Sequence, residues 1–404
     1  MSGIDDLIHE LAPTGVTTKT LGSIADLVRG NGMPKTDLTA EGVGAIHYGQ
    51  IYTRYGVWTT STYSFVTPES AAKLAKVEPG DLIITNTSEN VEDVGKAVAW
   101  LGEGQIVTGG HATVVKHHEN PKYLAYWFQS ESFSAQKKAL ATGTKVIDVS
   151  ARQLEKVRIP VPPREVQDEI VRILDRFTEL EAELEAELEA RRLQYAFYRD
   201  SLLAKSGNAS LMKLGDVAEF KYGFTASAQE SGEYRFLRIT DINPWGKLSN
   251  GGAKYVPASP TSSEYLVEPG DLLMARTGAT FGKTMLVVGE EPSVYASFLI
   301  RIRFKEANVL PAYYWHFAQS DLYWDQANAM VSTGGQPQFN ANVLKRVEIP
   351  VPSIPEQEEI VAILDKFDAL VNDLSTGLPA EIRARRQQYE YYRDKLLTFE
   401  EVAA

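Results

Sequence analysis

The residues "GATFGKT" beginning at Gly278 fall one residue short of the G-x-x-x-x-G-K-[ST] pattern that cradles nucleotide phosphates. That loop needs its full length so that backbone N–H groups wrap the phosphates, and it must open a helix. Here the stretch lies between "DLLMA" and "MLVVG", both strand-like. "DVGKAVAW" stands at a matching place earlier in the chain, with Lys96 answering Lys283. A turn in a repeated β unit is therefore the better reading. The six histidines (His9, His47, His111, His117, His118, His316) show no H-E-x-x-H or comparable ligand spacing. There is no G-x-S-x-G and no G-x-G-x-x-G after a strand. No Asn/Asp-Pro-Pro-aromatic tetrad occurs either; "NPW" at Asn243 is not one. No active site assembles from these residues, and the chain is expected to be non-catalytic.

What remains are loops that mix aromatic, amide and basic side chains, the types that read base edges and hold phosphates. In the first half of the chain these are Lys35 at the end of "GNGMPK", then Tyr48, Gln50, Tyr52 and Arg54 in "HYGQIYTRYG", and Lys145 in "GTKVID". In the second half they are Lys221 and Tyr222 in "KYGFT", and Arg235 and Arg238 in "YRFLRITD". Arg276 and Lys283 flank the turn already described, and Gln336, Gln338 and Asn340 sit in "GGQPQFN". Taken singly, each reads as a surface or turn residue. As a set in matching loops of two copies, they favour DNA.

The elements that position these loops occur twice. "VEPGDLIITNT" at Val77 returns as "VEPGDLLMART" at Val267, and "IPVPPREVQDEIVRILDRF" at Ile159 as "IPVPSIPEQEEIVAILDKF" at Ile349, both 190 residues later. "TLGSIADLVRGNG" at Thr20 resembles "KLGDVAEFKYGFT" at Lys213, and "ATGTKVIDVSARQLEKVRIPVP" at Ala141 parallels "STGGQPQFNANVLKRVEIPVP" at Ser332. "RRLQYAFYRDSLL" at Arg191 matches "RRQQYEYYRDKLL" at Arg385, now 194 apart. Two copies of one unit run head to tail, and the short "IDDLIHEL" before the first looks like a displaced end of the helical segment.

Within each copy, short apolar runs broken by Gly, Pro and Asn give a β-rich α/β texture. After "IPVP" the pattern turns helical. An apolar stripe at 3/4 spacing runs through Phe177, Leu184, Leu188, Tyr195 and Tyr198, and again through Phe367, Leu374, Tyr389 and Tyr392. Two such stripes most economically bury each other as an antiparallel pair. The first helix is expected to span about 39 residues, roughly 58 Å. Gly377 and Pro379 are expected to interrupt the second. The predicted organisation is a first β-rich domain with a short N-terminal helix over 1–158, a helical spacer over 159–206, a second domain over 207–348 and a second spacer over 349–404.

Composition agrees with this picture. A hydrophobic share of 44% describes globular domains, and the absence of Cys rules out disulfides and thiolate metal sites, as suits a reducing cytosol. The start lacks a basic region followed by an apolar stretch, so no secretory signal is expected, and no run reaches membrane-helix length. Residues 164–205 carry 7 Lys+Arg against 11 Asp+Glu, and residues 355–404 carry 6 against 11. These helical stretches hold −9 of the chain's −12, which leaves the globular units near neutral and able to carry local basic patches.

Carried by the paired "IPVP…EI…ILD.F" openings, "RR.QY.(F/Y)YRD.LL" endings and "EPGDL" turns, nearly the whole chain resembles the specificity subunit of type I restriction–modification systems. The resemblance implies two target-recognition domains, each followed by a helix, with the helices paired antiparallel as a spacer. Each domain would read one half of a bipartite site in double-stranded DNA, leaving the bases between unread. Two methyltransferase subunits would dock on the helical regions and recruit restriction subunits that translocate DNA. AdoMet, ATP and Mg²⁺ would belong to those partners, and no membrane is involved. Because the two copies' loops differ, the site should be asymmetric. The sequence leaves open a fused nuclease–methyltransferase partner. Two rivals are a coiled-coil scaffold with repeated protein-binding domains and a nucleotide hydrolase built on "GATFGKT".

If the helix is a ruler, inserting or deleting one "EAEL" unit alters its length by about 6 Å. The gap between half-sites should change while each half-site stays the same. Mapping the methylated motif in such a variant checks this, and an unchanged gap would remove the ruler.

Overall fold

The computed structural model describes residues 2–13, 15–204, 209–249, 251–332 and 337–400. The chain divides into two compact units, one of residues 1–183 with 383–404 and the other of 184–382. Each unit thus combines one globular domain, the start of the helix that follows it, and the end of the helix that follows the other domain.

In the first unit a five-stranded sheet runs in the order Ala25–Arg29, Ala112–His117, Leu82–Thr85, Ala97–Trp100, Trp58–Thr59. A four-stranded sheet has the order Ser64–Val66, Val43–Ile46, Ile106–Thr108, Ala75–Val77. The second unit repeats the theme with a four-stranded sheet: Ala218–Tyr222, Leu299–Phe304, Leu272–Ala275, Thr284–Leu286. Its three-stranded sheet runs Tyr255–Val256, Tyr234–Leu237, Ser293–Tyr295. Strands Leu82–Thr85 and Leu272–Ala275 are buried at every residue, which explains the apolar runs "LII" and "LLMA".

The repeated "EPGDL" is a capped turn. Gly80 and Gly270 take φ of 98° and 95°, a region closed to most side chains. Asp81 accepts a hydrogen bond from the Glu78 N–H at 2.8 Å and pairs with Lys116 at 3.0 Å. Asp271 does the same with Glu268 N–H at 3.0 Å, and with the Arg303 fork at 2.7 and 2.8 Å.

The repeated "IPVP" closes each domain on its own first strand. Lys19 faces Ile159 and Met212 faces Ile349 in antiparallel register. The carbonyls of Pro160 and Pro350 accept from the hydroxyls of Tyr123 and Tyr313 at 2.9 and 2.8 Å. Just inside each helix a glutamine, Gln167 or Gln357, lies 1% or 0% exposed. Gln167 accepts from Asn120 N–H and donates to the Pro162 carbonyl, both at 2.9 Å. Gln357 accepts from Leu310 N–H and donates to the Pro352 carbonyl at the same distance. Each glutamine locks the helix start to the domain before it.

The long helix runs Arg164–Ala204, 41 residues. The second helical stretch is broken into Ile354–Asn372 and Leu378–Leu396, as Gly377 and Pro379 predict. A Cβ on Gly377 would meet the carbonyl oxygens of Ala369 and Leu370 at 2.4 and 2.5 Å, so only glycine fits. Asp373 closes the break. Hydrogen bonds from Ser375 and Thr376 hold its carboxyl down at about 2.

The stripes pair inside each unit. In the first, Phe177 stacks on Tyr392 at 5.6 Å and meets Tyr389 at 6.4 Å, and Glu181 pairs with Arg386, a register that makes the helices antiparallel. In the second, Phe367 stacks on Tyr198 at 5.5 Å and on Tyr195 at 6.3 Å, with Leu184 and Leu188 packed into the same core. Leu374 departs from the expected stripe: it lies in the break, 42% exposed. The "YRD" aspartates cap domain helices. Asp394 accepts from Glu131 N–H at 3.0 Å, and Asp200 from Asp321 N–H at 3.2 Å.

Replacing Gln167 or Gln357 by Leu strips a buried N–H and carbonyl of their partners. This should cost about 1–3 kcal/mol. Urea unfolding measures it, and an unchanged midpoint would show that the glutamines do not hold the junction.

Candidate nucleic-acid interface

In the first unit, Lys35 is exposed at the head of a short turn and acts electrostatically on His47. Tyr48 lies between two imidazoles, with ring centroids 4.5 Å from His47 and 5.1 Å from His111. His47 accepts the Gly49 N–H at Nδ1, which leaves its proton on Nε2. Burial, Lys35 and His111 all lower its pKa. Gln50 is engaged at both ends, accepting from His47 N–H at 3.1 Å and donating to Ser64 Oγ at 2.7 Å. It shapes this corner of the domain. Tyr52 is half-buried, its phenol pKa raised by burial and by Tyr48, Asp93 and Glu89. Arg54 lies over the exposed ring of Tyr63 at 5.7 Å. Lys145 is exposed just before the strand Ile147–Asp148, which pairs with Thr87–Ser88.

The surprise here is His111. It is exposed and adopts φ 67°, the one non-glycine in the left-handed region among the described residues. Its carbonyl accepts the Asn86 N–H at 2.7 Å. A strained residue of this kind often marks a functional loop, but no spacing rule finds it. Its only sequence cue is the pair of glycines before it.

In the second unit, the same scaffold presents other groups. The Arg276 guanidinium lies 5.5 Å from the ring centres of both Tyr222 and Phe298, and its Nε donates to the Ser297 carbonyl at 3.0 Å. The two rings are 42% and 50% exposed. The Tyr222 hydroxyl accepts from Ala341 N–H at 3.0 Å, and Asn340 caps the Ala341–Leu344 helix through the N–H groups of Asn342 and Val343. Gln338 bridges through its backbone to Thr277 and Ser332. Tyr222, Arg276, Phe298, Gln338 and Asn340 therefore converge. Gln336 lies outside the described residues.

Three other candidates are engaged elsewhere. Lys221 donates to the Glu264 carbonyl at 2.8 Å over the ring of Tyr265. Arg235 pairs with Glu291 at 3.1 Å. Arg238 grips Asp241 at 2.8 Å and the Gly252 carbonyl at 2.9 Å. Lys283 follows a turn in which Phe281, Gly282 and Lys283 N–H donate to the Gly278, Ala275 and Thr280 carbonyls. Those amides are satisfied internally, and the turn joins two strands, so "GATFGKT" is not a phosphate-cradling loop.

Matched by register, the two repeats diverge at one loop position. Asn86 and Arg276 occupy one position, each donating its N–H to the loop carbonyl of His111 or Phe298 and accepting from Val149 or Phe339 N–H. The Asn86 side chain is buried, donating to the Val149 carbonyl and accepting from Thr113. Arg276 stands between exposed rings instead.

A family model described as the type I restriction modification DNA specificity domain matches residues 13–190 and again 208–384. The chain belongs to that family. It is 31% identical over 331 residues to a putative type I restriction enzyme specificity subunit of Haemophilus influenzae, covering 79% of this chain and 82% of that one. Identity to the EcoR124I/EcoR124II specificity subunit of Escherichia coli is 35% over 298 residues, covering 69% and 70%. The fold matches a chain in a structure of an assembled type I restriction–modification system, with TM-score 0.67, 16% identity and coverage of 95% and 97%. It also matches the S subunit from M. genitalium, with TM-score 0.53, 15% identity and coverage of 95% and 96%. The chain is thus a DNA-recognition component, distinct from the subunits that catalyse. Among the described residues no helix is long and apolar enough to cross a membrane.

Near the first unit's loops, Lys137 is buried, donating to the carbonyls of Glu92 and Val94 at 3.0 and 2.9 Å. Burial lowers its pKa from 10.5 to about 8. Between these values the unfolded chain holds the proton and the folded chain does not, so stability rises with pH across this window. Urea unfolding of wild type against Lys137→Met, from pH 7 to pH 10, should show a positive slope in their stability difference. A flat difference would contradict the buried-ammonium account.

Proposed function

We propose that the two domains read the two halves of an asymmetric, gapped site in duplex DNA and thereby direct partner subunits to it. The observation that carries this reading is the divergence at matched loop positions. One domain offers His111 over Tyr48 with Asn86 tied inward, and the other offers Arg276 between Tyr222 and Phe298. Repeated scaffolds with unlike head groups suit two different half-sites. In this reading Lys35, Tyr48, Tyr52, Arg54 and Lys145 serve the first half-site. Tyr222, Arg276, Gln338 and Asn340 serve the second, while Gln50, Lys221, Arg235 and Arg238 hold the loops in shape. Two methyltransferase subunits dock on the helical regions and restriction subunits join them. AdoMet, ATP and Mg²⁺ are bound by those partners, and adenine N6 is the atom modified.

The Arg276 fork matches the paired O6 and N7 acceptors of guanine in the major groove. Arg276→Ala should relax one position of one half-site, with a loss of discrimination of about 5- to 150-fold there, the equivalent of 1–3 kcal/mol. The other half-site should remain as it is. Sequencing that reports methylated adenines in cells carrying the variant reads this directly, and an unaltered motif would remove Arg276 from the reading set.

A further inference from the structure

Two cations in the first unit carry acid partners: Lys96 pairs with Asp93 at 2.7 Å, and Arg386 with Glu181. Their repeat equivalents in the second unit are Lys283 and Arg192, but the places of the acids are taken by Thr280 and Val371. The Arg192 Nε is buried without a hydrogen-bond partner, and its guanidinium lies 5.6 Å from the ring centre of Trp245. Both cations line one cavity of about 260 Å³ in the second unit, together with Arg199, Trp245, Gln319 and Trp324. Among the described residues no carboxylate lines it. Nearby, Asp368 is held by Lys247 and Asn372, and Asp200 lies 3.4 Å from Arg199 while accepting the Asp321 N–H.

We propose that this cavity binds a phosphate oxyanion carried on a planar ring, as in a nucleotide. Lys283 and Arg192 line the same cavity without a counter-charge, an arrangement that is costly to hold and is relieved by an anion. The indole walls of Trp245 and Trp324 accept a flat ring. Lys283 acts here as a point charge on its side chain, which needs none of the turn's occupied amides. The phosphate has two sources, a free nucleotide or the DNA backbone. Only the second rests on the DNA reading above.

The test uses the full chain, with its methyltransferase partner if that is needed for solubility. Tryptophan fluorescence and calorimetry follow titration with AMP, inorganic phosphate and a duplex lacking the recognised motif. Thr280→Asp restores the acid found at Asp93, Arg192→Gln removes a charge, and Thr280→Asn controls for shape. AMP or phosphate binding should weaken about tenfold or more in the first two variants and persist in the third. If the backbone is the source, duplex affinity also falls, and its dependence on salt shallows by about one unit of slope in Arg192→Gln. If a free nucleotide is the source, duplex affinity is unaltered. The proposal is overturned if wild type binds none of the three probes, or if both charge variants bind all of them as wild type does.

Discussion

The fold rests on an exchange of helix ends. An apolar stripe on a helix has to be covered, and in each unit the covering residues come from far along the chain. Phe177, at the start of one helix, is roofed by Tyr389 and Tyr392, and Phe367 by Tyr195 and Tyr198. The same covering segments bring Asp394 and Asp200, which cap a helix of the domain beneath. Each domain closes on its own first strand, but the stripe of the helix that leaves it is covered by a segment distant in sequence. In the first unit the arrangement is nearly circular, since Val16 N–H donates to the Glu400 carbonyl.

This frame frees the loops to vary. The buried strands, the "EPGD" turns and the glutamine locks carry the stability, and they are nearly the same in both copies. The loop positions above them then differ without cost to the core. Asn86 is drawn inward by Thr113 and Val149, whereas Arg276 is held outward by two rings and one carbonyl. A recognition protein needs this separation, because new specificity must arise without unfolding what presents it.

The architecture was legible in the sequence because it depends on pattern: repeats, apolar periodicity, and Gly377 with Pro379 at the break. The site was only partly legible. Arg235 and Arg276 are equal in type, yet one is tied to Glu291, 56 residues away, and the other to aromatic rings. Lys221 is likewise engaged by a carbonyl 43 residues distant. Composition finds cations, but long-range partners decide which are free. The buried roles of Gln167 and Gln357 were invisible for the same reason, and the backbone strain at His111 is marked in the sequence only by the two glycines before it: each depends on tertiary geometry.

The most direct test is a genome-wide map of methylated adenine in cells with the partner methyltransferase, with and without this chain. The account predicts a gapped, asymmetric bipartite motif that appears only when the chain is present. An active methyltransferase whose motif is the same in its absence would contradict it.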